Sequence, residues 1–159
     1  LLDNIFEKFD DAVERHGMHK YQHVADWYII TCPRAARPFD ESEQCKPYPS
    51  EYVASLARLA NELRDITRTY KVEEHQLNLK IGIHCGDAAG AVIGIHRAFY
   101  CVYGDTTNTA ARMCKYAEPN QILCTQEVVE QVKSVDKNSI SFKSCGEKSI
   151  KGKGIMEVF

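Results

Sequence analysis

The chain is 159 residues long, with 26% charged and 44% hydrophobic residues and a formal net charge of -2. That length predicts one domain with a core of its own, and the near-neutral charge gives no reason to expect nucleic acid or an anionic membrane as a partner. No apolar run approaches the roughly 20 residues that span a bilayer, and the chain does not open on a basic stretch followed by an apolar one, as a secretion signal does.

In chain order, Leu1, Leu2, Ile5, Phe6, Phe9 and Val13 recur at helical spacing, and Gly17 is placed to stop that helix after His16. No capping residue precedes Leu1, so the chain reads as beginning within a domain. Lys20 to Thr31, rich in Tyr, Val, Trp and Ile, predicts a strand or hairpin interrupted by Ala25-Asp26. Residues 33–49 carry Pro33, Pro38, Pro47 and Pro49 and predict a loop. Ser50 is then placed to cap a long amphipathic helix with Val53, Leu56, Leu59, Ala60, Leu63, Ile66 and Tyr70 on its apolar face.

Leu79, Ile81 and Ile83 alternate with polar residues and glycine, predicting a strand. Gly86, Gly90 and Gly94 punctuate the next stretch, and 99–103 predicts another strand. A helix is expected over 106–117, capped by Asp105 or Thr106, then a turn at Pro119-Asn120 and a short strand from Gln121 to Cys124. Thr125 is placed to cap a helix carrying Val128, Val129 and Val132, and the tail from Ile140 predicts a hairpin with a basic, glycine-rich turn. Strands and helices intermix without an internal repeat, so the class is α/β or α+β, one sheet covered by helices.

Seven cysteines are scattered with no C-x-x-C pair, which argues against a disulfide framework and a structural zinc site and for free thiols in a reducing compartment. The six histidines show no metal-ligand spacing. Three stretches carry more chemistry. In "YCVYGDTTNTAARM" (100–113) a strand runs into a helix that places Asn108 and Arg112 one turn apart on one face, at a helix start that already favours anions. That pattern fits a phosphate-bearing ligand, or a capped amphipathic helix with an exposed arginine. "SIKGKG" (149–154) puts Lys151 and Lys153 in a flexible turn, either a phosphate contact or a solvated hairpin tip. Asp26 interrupts an apolar strand pair, so it stands at a hairpin tip or serves a positioned role, because an unpaired buried carboxylate is costly.

Together these pieces resemble the class III nucleotide cyclases, within them the guanylate cyclase branch. "YCVYGDTTNTAARM" is similar to that family's strand-to-helix signature and "LKIGIHCG" (79–86) to the strand before it. "KYQHVADWYII" (20–30) is similar to its hairpin around the second metal aspartate, and "KGKG" (151–154) to its closing phosphate-binding turn. The four motifs keep the family's order and cover nearly the whole chain.

The resemblance implies a ferredoxin-like fold over residues 1–159, a mostly antiparallel sheet covered by helices, with a first strand expected upstream of Leu1. It implies a dimer binding GTP at its interface and joining the ribose 3′-oxygen to the α-phosphate with loss of pyrophosphate. Mg²⁺ or Mn²⁺ would sit on two aspartates, Asp26 and one upstream of Leu1. Asn108 would orient the ribose, Arg112 would meet charge at the α-phosphate, and Lys153 or Lys151 would hold the terminal phosphates. Cys101 matches the guanylate branch at one base-reading position, where its thiol can donate weakly to guanine O6. At the other, Gln22 replaces a glutamate, giving a neutral acceptor for guanine N–H groups.

Ala25 stands where the family has Gly, and Trp27 where it has a small residue. These departures imply one half of a heterodimer or tandem pair. The competing reading is a catalytically silent cyclase-homology module that binds nucleotide or only dimerises. Either would lie in the cytoplasm, or at the cytoplasmic face of a membrane if the parent protein carries transmembrane segments.

Overall fold

A computed structural model describes residues 1–97 and 99–159. Its backbone divides into two units, Leu1–Leu79 with Gln131–Ile140, and Lys80–Glu130 with Ser141–Phe159.

In the first unit, α1 (Leu2–Arg15) buries Ile5, Phe6, Phe9, Ala12 and Val13, one face at helical spacing, against a later helix. It stops where expected. Gly17, at φ 67°, donates to the Glu14 carbonyl and Met18 donates to that of Val13, the paired bonds of a glycine-terminated helix. The chain then forms β1 (His19–Val24), antiparallel to β2 (Trp27–Thr31), with a register slip between Lys20 and Gln22. Val24 pairs with Trp27, so Ala25 and Asp26 form the turn between the strands. Tyr28 packs its ring 5.2 Å from Phe6 and 5.4 Å from Phe9, and its hydroxyl donates to Asp10. Asp10 also pairs with Lys20 at 2.8 Å.

The proline-rich stretch holds more structure than a loop. A single 3₁₀ turn covers Pro33–Ala36, and α2 (Glu41–Gln44) is capped by Asp40, which accepts from the Glu43 N–H at 3.3 Å. The prolines at 33, 38, 47 and 49 mark where these short elements begin and end. α3 (Ser50–Arg68) buries Val53, Ala54, Ala57, Leu59, Ala60 and Leu63 and is the helix that α1 packs on. Ser50 does not cap it. Pro49 takes the cap position, and the Ser50 hydroxyl donates to Gln131. A minimal hairpin comes next, β3 (Lys71–Val72) with β4 (His75–Gln76), too short for alternation to reveal.

The second unit starts with β5 (Ile81–Ile83), then β6 (Ala89–Ile93) antiparallel to β7 (Phe99–Tyr103). The β6 strand was hidden by the glycines that read as punctuation. α4 (Asp105–Tyr116) comes after it, then β8 (Ile122–Cys124), parallel to β5, and α5 (Gln126–Val135), whose residues from Gln131 onward count with the first unit. The hairpin of β9 (Glu147–Ile150) and β10 (Gly154–Glu157) closes the chain as expected. Met113, Ala117, Leu123, Ile150 and Val158 form this unit's core, with Tyr116 and Met156 against it. Gly82 on β5 lies directly under α4. A Cβ there would come within 2.1 Å of the Cys114 nitrogen and 2.3 Å of the Ala110 oxygen, so the approach is backbone to backbone. Cys124 is buried, its backbone paired both ways with Phe159, and burial pushes its thiol up to about 12.

Among the described residues the strands pair two by two, four pairs antiparallel and one parallel, rather than as the single sheet expected. All seven cysteines are free thiols. No described helix is long and apolar enough to cross a membrane.

Candidate functional site

The second unit brings several of the sequence-predicted residues together around α4. That helix starts from Gly104, at φ 119°, whose carbonyl accepts the Asn108 N–H at 3.2 Å and the Thr107 hydroxyl at 2.9 Å. Neither expected cap acts as one. Asp105 is the first helical residue, and the Thr106 hydroxyl reaches the Asp87 carbonyl in the preceding loop. Asp105, Asn108 and Arg112 lie at i, i+3 and i+7, so they line one face. Asn108 is exposed and Arg112 half-buried. Thr109, beside them, is fully buried.

The turn after β9 lies against that face. Gly152, at φ 76°, is seated so that a Cβ would stand 3.5 and 3.6 Å from the two terminal nitrogens of Arg112. The turn therefore passes beside the guanidinium with room there for at most a methyl group, and the left-handed φ favours a glycine. One residue on, Lys153 forms an ion pair with Asp105. Its hydrogen bond holds the Asp105 carboxyl below the usual carboxylate range. The turn thus lies along α4 from Arg112 to Asp105. Lys151 is exposed. Cys101 is partly buried on β7, opposite Ala91 of β6.

His84, to which the sequence assigned no role, belongs to this neighbourhood. Its Nδ1 lies 2.7 Å from the Thr125 hydroxyl. Thr125 stands just before α5 as expected, with its hydroxyl against His84. Burial lowers the His84 pKa. Glu127 and Asp105 pull the other way, and Lys153 adds to the lowering. A histidine just past a short apolar strand gives no sequence signal of such a neighbourhood.

The first unit carries the remaining two. Gln22 is exposed on β1, paired with Ile29 across the hairpin. Asp26 is exposed at the hairpin turn beside Trp27, which is 47% exposed. Ala25, just before it, adopts φ 54°, the left-handed region where the family pattern has glycine. Mg²⁺ takes six oxygen ligands and usually keeps water on several of them. Asp26 offers one carboxylate, and among the described residues no group of three acidic, histidine or cysteine side chains could hold a metal ion. The described residues do not complete a metal site, and no step is assigned to one.

The adenylate and guanylate cyclase catalytic domain model matches residues 1–159. The chain belongs to that family. Among cyclase relatives, receptor-type guanylate cyclase gcy-23 of Caenorhabditis elegans is 32% identical over 130 residues, 80% of this chain and 11% of its own length. Gcy-13 of the same organism is 28% identical over 162 residues, 100% of this chain and 15% of its own length. The chain thus spans a small fraction of these relatives.

The cyclase fold is also plain in solved structures. The guanylate cyclase domain of RhGC from Catenaria anguillulae, solved with GTP, superposes with a TM-score of 0.81 at 22% identity, covering 99% of this chain and 79% of that one. The adenylyl cyclase CyaB from P. aeruginosa does so at 0.79 and 16% identity, covering 99% and 78%. The α+β class read from the sequence is therefore the class III cyclase fold.

Proposed function

We propose that this chain is a guanylate cyclase catalytic domain that converts GTP to cyclic GMP and pyrophosphate together with a second cyclase domain. The observation that carries this reading is the seating of Gly152 against the Arg112 guanidinium, which gathers the lysine turn and the exposed face of α4 in one place. In the reaction the ribose 3′-oxygen bonds to the α-phosphorus, the bond to the bridging oxygen breaks, and pyrophosphate departs. The hydroxyl proton is lost to water. Asn108 holds the ribose so that the 3′-oxygen faces the phosphorus. Arg112, a planar donor fork, meets the charge that builds on the α-phosphate. Lys153, with Lys151 beside it, holds the terminal phosphates. Cys101 and Gln22 read the guanine edge, the thiol at O6 and the amide oxygen at the N–H groups.

The altered hairpin supports pairing with an unlike partner. In a shared interfacial site one domain gives the aspartates and the other gives Asn108 and Arg112, so a partner with an intact hairpin completes what this chain lacks. We place the assembly in the cytoplasm or at its membrane face. Ala25 in a left-handed backbone and the exposed Trp27 beside Asp26 favour a second reading, a silent module that binds nucleotide without turning it over.

Mixing the chain with a cyclase domain that has both metal aspartates but lacks the Asn/Arg pair decides between them. The expected outcome is negligible turnover alone and cyclic GMP from the mixture, with kcat/KM higher for GTP than for ATP. The pair Cys101→Asp with Gln22→Lys should move that preference toward ATP. Nucleotide binding without product in the mixture would establish the silent module.

A further inference from the structure

The ion pair between Lys153 and Asp105 has a consequence for the phosphate site. Lys153 is 27% exposed and Asp105 63%, so the pair lies open to solvent and to ligand. The turn's backbone is closed by the Lys153 N–H, which donates to the Ile150 carbonyl at 2.9 Å. From that closed turn the Lys153 side chain reaches Asp105. Asp105 also stands in the first turn of α4, where the helix itself favours a negative charge. It therefore lies where an anion is doubly welcome, beside a cation and at a helix start.

We infer that Asp105 is the internal counter-ion of Lys153, a positioning residue whose carboxylate the β- and γ-phosphates displace on binding and which recaptures the lysine as pyrophosphate leaves. This rests on the reading of Lys153 as a phosphate contact. An ammonium is a compact point charge with rotatable donors, suited to exchanging one anion for another. Keeping both anions around it would set two like charges side by side. Asp105 would then weaken pyrophosphate binding and hasten its release, at no cost to the geometry of Asn108 and Arg112.

The test is titration of inorganic pyrophosphate into the full chain in its active assembly, together with product inhibition by pyrophosphate. Asp105→Asn should bind it about twofold to fivefold tighter, the range set by an exposed ion pair. Asp105→Glu should restore the parental value. Lys153→Gln should weaken binding, and in that background Asp105→Asn should have almost no further effect. Thermal unfolding checks that each variant is folded. Unchanged or weaker binding in Asp105→Asn, with Lys153→Gln still weakened, would overturn the counter-ion role and leave the phosphate site standing. Parental binding by Lys153→Gln would overturn both.

Discussion

The β1–β2 hairpin and the face of α4 are both small, charged and exposed, yet they are built in opposite ways. At the hairpin tip Asp26 stands exposed on a turn whose preceding alanine is forced into a left-handed backbone. On α4, Arg112 lies against the turn at Gly152, Asp105 pairs with Lys153, and Gly82 fits the helix onto β5 with no side chain between. The hairpin tip offers a single carboxylate, and α4 carries Asp105, Asn108 and Arg112 at helical spacing along one face. Positioned donors stabilise a transition state only if they need not reorganise. On the proposed reading the α4 face supplies those donors, so activity is expected to depend on it more than on the hairpin.

Substitution sharpens that contrast. Arg112→Ala should lower kcat about 10³-fold or more in the mixed assembly, while nucleotide binding and folding survive. Asp26→Ala in the same assembly should leave turnover close to the parent. Equal losses from both, read as kcat and KM with GTP, would show that the two regions contribute alike.

Gly82→Ala should destabilise the protein by about 2–4 kcal/mol, because its Cβ meets backbone that no rotamer change can clear. Urea unfolding measures it, and a neutral result would mean that α4 shifts freely on β5.

The hairpin responds in the other direction. Ala25→Gly should stabilise it by about 1 kcal/mol, by relieving the left-handed alanine. A lower midpoint in the same unfolding assay would show that the turn is not strained.

The smallest effect is one of pH. Burial lowers the His84 pKa below its ordinary 6.5, so the folded state prefers the neutral ring. The unfolded chain then binds the proton more readily. The His84 contribution is fully present above pH 6.5 and is lost as pH falls through the lowered folded value. Tm should decline over that window and decline less in His84→Gln.

Much of this was legible in the residues. The spacing of Phe6, Phe9 and Val13 showed α1, and Gly17 showed where it stops. The 99–103 strand and the "KGKG" hairpin were readable for similar reasons. What escaped depended on contacts distant in sequence. Ser50 looks like a cap by its position, but Gln131, 81 residues away, takes its hydroxyl. Asp105 also looks like a cap, and only the return of the chain 48 residues later gives it Lys153. Gly90 read as a break, yet it lies in a strand because the Tyr100 ring of the paired strand fills the space where its side chain would be. The roles proposed for Gln22, Cys101 and Asp26 rest on the family pattern, since no local rule ties an amide, a thiol or a carboxylate to a nucleotide.

The buried thiol of Cys124 gives the second unit a built-in clock. Cys45 and Cys145 are exposed and open to an alkylating reagent from the start, whereas Cys124 is enclosed and kept protonated. It can react only when the pairing of β8 with the chain's final residue comes apart. Its labelling half-life would therefore time the opening of the framework beneath α4, without a spectroscopic probe or an engineered residue.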